Sequence, residues 1–472
     1  MSSLTQNVCF LGLLILAGMA LMVNLLVVVN HDEIVGYLED PSALLHLKTG
    51  DITHKVSTNI IHKLADSVRV GLVGGRAMHP DNGREGDPAQ SHLYPPLPYL
   101  PAFAEIPDSE KLIQDTLNGS PTMAGVAAIL NRFIQALHDS NTVMNAKKAE
   151  VDELIQAYFS LAQKYLVPFD DAYRGKPIFP IRDDESVFIS LAAFREHLLA
   201  QTLRSAFTQA SNPHRLYIGA VVQNCFGIER VCKTGHVVVG KNDKGKDMTK
   251  VSDAPPDKNG IEEFCTDDEF KQYCESGQVR AIYVNETDSL GPAAARYYAS
   301  KLWGGETYFM QMDSHLEFAP SWDQKYIDEV RAAKSFPKAV LSAYPPGFQN
   351  FGEYKGGSKG TRLCTCQFSS NAIEDSIIRI NTGTSYRGDE PRPTQIAFIA
   401  AGFFFAQAEF LVDVPFDPFL PWCFMGEEIL LSMRAWTAGW DIYAPRENLI
   451  AHQYRPVSGF YFDLDIRLAV RN

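Results

Sequence analysis

The sequence predicts an α/β fold: a mainly parallel sheet with helices on both faces. Two observations carry this. From Ser186 onward, short apolar runs of strand length alternate with stretches whose apolar residues recur every three or four positions. That alternation is the mark of βαβ units. The chain also has the material for a sizeable core, with 46% hydrophobic and 11% aromatic residues in 472. No P-loop, GxGxxG or internal repeat is present, which removes the commonest NTPase and dinucleotide readings.

The elements follow in order. Residues 8–29 are a 22-residue apolar run with no charge. That length spans a bilayer as a helix. Residues 1–7 then read as a cytosolic tail and 8–29 as an uncleaved signal-anchor, with a cleaved signal peptide as the competitor. Residues 30–181 read as a stem or helical subdomain. Within them 94–103 are Pro-rich and extended, while 123–137 and 145–166 have helical periodicity. Strands are expected at 187–192, 215–222, 278–284, 308–312 and 339–343. Helices are expected at 196–210, 292–302 and 323–334. Residues 229–260 are a Lys/Asp/Gly-rich insertion, expected as a loop, within a globular domain over 182–472.

Net charge is −13. A general nucleic-acid binder would carry a basic footprint instead, so no nucleic-acid partner is expected. An anionic substrate needs a local positive device. Seven cysteines follow the apolar run, and Cys225, Cys232, Cys265 and Cys274 flank the insertion. Their spacings of six, 32 and eight intervening residues fit no common zinc motif. Disulfides are expected in a lumenal body, with the pairing left open. Asn285-Glu286-Thr287 is a glycosylation sequon, and Asn118 begins a poorer one before Pro121.

The chemistry concentrates at Asp313-Ser314-His315. Side chains two apart on an extended segment face one side. Asp313 and His315 therefore project together from a strand's carboxyl end, where open α/β sheets bind ligands. A carboxylate with an imidazole suits a divalent cation, and the mixed donors favour Mn²⁺ over Mg²⁺. The competing reading is a strand-end Asp capping a loop beside a surface His.

Longer stretches add a resemblance. Residues 291–323, "GPAAARYYASKLWGGETYFMQMDSHLEFAPSWD", combine a GPxxAR helix, a WxGE turn, a strand ending in D-S-H and a following W-D. With "PKAVLSAYPPGF" (337–348), "VPFDPFLPWCFMGEEILLSMRAWTAGWDIYAP" (414–445) and "NLIAHQYR" (448–455), the chain resembles the polypeptide N-acetylglucosaminyltransferase family. That family includes cytosolic hydroxyproline GlcNAc-transferases and protist mucin α-GlcNAc-transferases. More distantly the chain is similar to mucin-type polypeptide GalNAc-transferases. The resemblance covers residues 186–454.

The resemblance implies a GT-A nucleotide-diphospho-sugar transferase fold. It implies a glycosyltransferase moving GlcNAc from UDP-GlcNAc to a protein hydroxyl with retention, and Mn²⁺ (or Mg²⁺) held by Asp313, His315 and His452. Glu427 would meet donor sugar hydroxyls and Glu428 the acceptor hydroxyl, although acids at a helix start also complement its dipole in any fold. Arg296 and Asp313 would lie at the donor. Where family members have S-I-x-x-Y-R-D at the nucleotide base, this chain has Phe194 for Tyr and Glu196 for Asp. Ser190 and Arg195 are the nucleotide contacts implied. The apolar N-terminal run departs from the soluble members and points to a single-pass type II protein of the Golgi or ER, with a lumenal catalytic domain. Two alternatives stand beside this: the same chemistry with another UDP-sugar, and a catalytically silent binding or scaffold protein of the same fold.

Overall fold

A computed structural model describes residues 108–454, apart from 229, 235–236, 243–246, 349–357, 360–361, 369–377, 382–389 and 425. The expected anchor over 8–29 and the Pro-rich stretch over 94–103 lie outside the described residues. Among the described residues no helix is long and apolar enough to cross a membrane.

Four helices lead in: α1 (Ser109–Leu117), α2 (Met123–Ala146), α3 (Val151–Tyr165) and α4 (Val167–Ala172). The start of α2 is capped by Thr122, whose hydroxyl accepts the Gly125 N–H at 3.0 Å. A Cβ on Gly125 would sit 2.7 Å from the Leu112 carbonyl oxygen, so α1 and α2 can cross closely only over a glycine. The helical periodicity over 145–166 breaks at its start. Helix α2 runs on to Ala146, Lys148 adopts φ 52°, and a capping box of Glu150 with Glu153 restarts the chain as α3. These helices pack on the sheet domain through named bonds. Asp288 faces His138 Nδ1 at 2.6 Å and accepts Asn141 Nδ2 at 2.8 Å. Asp170 accepts Tyr297 Oη at 3.0 Å and Lys301 Nζ at 2.6 Å.

The main sheet uses β1 (Val187–Phe194), β2 (Leu216–Asn224), β3 (Val279–Asn285), β4 (Tyr308–Asp313), β6 (Ala339–Ser342), β7 (Thr394–Ile396), β8 (Phe403–Gln407) and β9 (Asp441–Ala444). Their order is β7-β9-β6-β8-β4-β1-β2-β3. The run β4-β1-β2-β3 is parallel throughout. Strand β8 enters antiparallel between β4 and β6. Two short strands, β5 (Leu316–Phe318) and β10 (Ile450–His452), pair antiparallel outside this sheet. Helix α6 (Pro292–Lys301) packs on β1 and β2. A buried cluster joins residues of α5 (Leu199–Gln209) and α7 (Trp322–Arg331) with Leu191, Met312 and Phe405. The connection after β1 runs to β2 on one side, while the chain after β4 goes on to β6 on the other. The crevice outside the carboxyl ends of β1 and β4 is thus a topological switch point, where such sheets bind ligands.

The structure refines the sequence reading at several places. Helix α5 begins at Leu199 rather than 196, because residues 195–198 form a turn in which Glu196 Oε1 accepts the Leu198 N–H at 2.8 Å. The insertion is not a plain loop: Cys232–Lys233 pairs with Asp253–Ala254, and Val237–Lys241 with Asp247–Lys250. Its Lys, Gly and Asp content masks these ribbons. The four cysteines pair locally, Cys225 with Cys232 and Cys265 with Cys274. The two sequons also reverse their rank, since Asn285 is buried at the end of β3 while Asn118 is exposed.

The WxGE turn anchors the far end of β4. Glu306 is fully buried. It accepts Arg280 Nη2 at 2.7 Å and the Gly304 N–H at 2.8 Å. Burial alone would raise its carboxyl, but Arg280 and Arg182 outweigh this and hold it below the ordinary value. Glu306→Gln strands two arginines and should destabilise the domain by about 3 kcal/mol or more, read by urea denaturation. A depressed folded pKa means the contribution is present above about pH 4.5 and is lost as pH falls through the lower folded value. The wild-type and variant stabilities should therefore converge on acidification. A constant gap down to pH 3 would sink this account.

Candidate active site

Strand β4 delivers Asp313 at its carboxyl end, and the chain turns at Ser314 into β5. Ser314 faces inward, and its carbonyl accepts Thr202 Oγ1 at 3.1 Å. Asp313 and His315 remain partly exposed on the other side. Strand β10 then pairs with β5 in a register that sets His452 opposite Leu316. The His452 N–H donates to the Pro346 carbonyl at 2.8 Å, so the Tyr-Pro-Pro element clamps that histidine from its other side. His452 Nε2 lies 3.0 Å from Asp313 Oδ2 and 3.0 Å from His315 Nε2. One ligand atom from each of the three falls within 4.8 Å of the others. The strand-end pair and the distant histidine are thus one cluster.

Gly402, just before β8, makes room for it. The Asp313 N–H donates to the Gly402 carbonyl at 3.1 Å. A Cβ on Gly402 would stand 2.9 Å from Asp313 Oδ2. Burial would raise the Asp313 carboxyl, but His452, Arg296 and His315 together hold it well below the ordinary carboxylate range.

Helix α8 (Glu427–Thr437) points its start at the same rim, after Gly426 at φ 90°. Glu427 Oε2 accepts Arg296 Nη1 at 2.5 Å, and Arg296 Nη2 reaches Asp313 Oδ1 at 3.3 Å. Arg296 is buried, and the two carboxylates keep it charged against that burial. Glu427 Oε1 is buried with no hydrogen-bond partner. Glu428 is differently placed. Its Oε1 accepts the Ala401 N–H at 2.9 Å and its Oε2 accepts Tyr344 Oη at 2.7 Å. Burial pushes its carboxyl up, against these donors and Arg296.

The two residues expected at the nucleotide base are placed apart from the cluster. Ser190 is fully buried in mid-strand, where its hydroxyl donates to Gln311 Oε1 at 3.3 Å. It does not face the rim. Arg195 is at the rim in a left-handed conformation, φ 48°. Its guanidinium is turned to Asp257, with Nε to Oδ2 at 2.8 Å and Nη2 to Oδ1 at 2.9 Å. Asp257 also accepts the Cys225 N–H at 2.8 Å, so this pair fastens the foot of the insertion. Sequence reasoning missed Glu196, whose Oε2 lies 2.9 Å from His315 Nδ1, and also Tyr344 and Gly402. For Glu196 the only signal was its place where the resembled family has Asp.

The donor set fits a divalent cation. Glu196 Oε2 faces His315 Nδ1, which leaves Nε2 as the ring nitrogen turned to the cluster. Asp313 is ionised, and His452 Nδ1 is buried with no partner, free to carry that ring's proton. Three donors then converge, and three protein ligands leave coordination positions open.

The family model described as Glycosyltransferase (GlcNAc) matches residues 186–462, more than half of the chain. This chain belongs to that glycosyltransferase family. The matched segment begins one residue before β1 and contains every residue of the cluster. Among solved structures, GalNAc-T7 with UDP, GalNAc and Mn²⁺ is 13% identical with a TM-score of 0.38, over 58% of this chain and 45% of that one. S. aureus TarS 1–349 is 12% identical with a TM-score of 0.32, over 57% of this chain and 60% of that one. The chain thus spans about half the length of these structures. No curated protein matches it.

Gly402→Val should push the Asp313 carboxylate off His452. Calorimetric titration with Mn²⁺ should then show affinity weakened about tenfold or more, with the far-UV circular dichroism unchanged. Unaltered affinity would mean that the carboxylate has room to spare.

Proposed function

We propose that the protein is a metal-dependent glycosyltransferase that moves GlcNAc from UDP-GlcNAc to a protein hydroxyl, of Ser/Thr or hydroxyproline, with retention to an α linkage. The observation that carries this reading is the Asp313–His315–His452 cluster, set at the switch point of a sheet whose matched segment belongs to a glycosyltransferase family. Asp313, His315 and His452 would hold Mn²⁺, favoured over Mg²⁺ by the two nitrogen donors. A cation bound there supplies Lewis-acid stabilisation of a diphosphate leaving group.

The remaining roles belong to the chain. Arg296 holds Asp313 and Glu427 in place rather than reaching for phosphate. Glu427 Oε1, buried and unpartnered, is an acceptor suited to a donor sugar hydroxyl. Glu428 and Tyr344 form the acceptor-side wall, where the raised carboxyl stays engaged by two donors.

A lumenal body on a single type II anchor in the Golgi or ER completes the reading. The apolar run over 8–29 and the two disulfides support it.

The test is UDP release with UDP-GlcNAc, UDP-GalNAc and UDP-Glc over Ser/Thr and hydroxyproline peptides, with product mass spectrometry. UDP-GlcNAc with Mn²⁺ should give a peptide gaining one GlcNAc. EDTA or Asp313→Ala should bring turnover to background. Full turnover in EDTA sinks the metal assignment, and preference for another donor sinks the sugar.

A further inference from the structure

We infer that Glu196 is a positioning residue for the cation site: it holds His315 as the Nδ1–H tautomer and so keeps a bare Nε2 aimed at the cluster. This rests on the metal reading above. The argument begins with donor and acceptor roles. An ionised carboxylate can only accept, and Glu196 Oε2 lies 2.9 Å from His315 Nδ1. The shared proton must therefore sit on Nδ1. An imidazole without such a partner exchanges its proton between both nitrogens. In the other tautomer, the Nε2–H of His315 would point at His452 Nε2, 3.0 Å away. The two rings would then satisfy each other and close the space between them. Glu196 excludes that state.

The carboxylate is itself fixed. Its residue is 5% exposed, and Oε1 accepts the Leu198 N–H at 2.8 Å. It follows Arg195, whose left-handed backbone is held by the Asp257 ion pair. Backbone held in such a region is a pattern of functional sites. The two histidines also differ. Among the described residues no partner backs His452 Nδ1, and its place is set by β10 and the Pro346 carbonyl. His315 alone of the pair has an oriented proton. Outer carboxylates of this kind tune metal affinity by about 10–100-fold.

The test uses the full chain. In metal-free wild type labelled with ¹⁵N-histidine, the His315 signals, identified by their loss in His315→Gln, should show Nδ1 protonated and Nε2 bare. Mn²⁺ titrated by calorimetry should bind tightest to wild type, about tenfold more weakly to Glu196→Gln, which keeps an acceptor, and about a hundredfold more weakly to Glu196→Met, which keeps none. A His315 protonated at Nε2 in wild type overturns the inference whatever the Glu196 variants do. Equal affinity in all three proteins, while His315→Gln loses Mn²⁺, overturns it and leaves the metal reading standing. If wild type binds no Mn²⁺ and His315→Gln changes nothing, the metal reading falls and takes this inference with it.

Discussion

Arg296 lies buried between the carboxylates of Glu427 and Asp313, and the shape of the rim depends on that bridge. Helix α6 brings the arginine, α8 brings one acid and β4 the other. Removing a partner from a buried pair leaves an uncompensated charge, which typically destabilises by about 3–5 kcal/mol. The bridge has a second consequence. The guanidinium is committed to protein carboxylates, so it leaves little charge for an anionic donor. The chain is acidic overall, at −13. A diphosphate in this crevice would need positive charge from elsewhere, and the cluster beside Arg296 is the place where the donor set can supply it. A cation held there would complement the charge that the protein lacks.

The sequence motifs that carry the resemblance divide into two kinds. Some touch the crevice: Arg296, Asp313, His315, Glu427 and His452. Others build the frame. In the WxGE turn, Trp303 Nε1 donates to the Glu306 carbonyl at 2.8 Å while the Glu306 carboxylate holds Arg280. In the Trp-Asp pair, Trp322 Nε1 donates to the Ala206 carbonyl, and Asp323 accepts the Ser211 and Asn212 N–H groups at 2.7 and 2.8 Å. These residues lie away from the chemistry. They hold β4 at one end and α7 against α5, which decides where Asp313 emerges.

That division explains what was legible in sequence. Parallel strands buried on both faces read as apolar runs between helical stretches, so β1 to β4 and β6 stand out. Strand β8 is also an apolar run, but it is antiparallel to both neighbours, so the alternation offers it no slot. Asp313 and His315 could be paired by strand geometry alone. His452 could not, because its strand is three residues long and finds its partner 134 positions earlier in β5. Ser190 and Arg195 have side chains suited to a nucleotide, yet register decides their contacts. Ser190 faces Gln311 across β4, and the left-handed turn at Arg195 swings it to Asp257. Residue type suggests chemistry, while only the fold says which neighbour is in reach.

Three different devices aim the three candidate ligands. His315 is oriented by a side chain, Glu196. His452 is oriented by backbone, through β10 and Pro346. Asp313 is oriented by charge from Arg296 and by the missing Cβ at Gly402. The supporting groups come from chain positions 196, 296, 346 and 402, so no local segment can assemble the site. It exists only when β1, β4, β8 and the β5–β10 pair are all in register. Ligand binding to the native state alone adds stability through linkage. A cation held here would therefore tie β10, near the end of the described chain, to the central strand β4. The stability gained would fall on a pair of three-residue strands outside the main sheet.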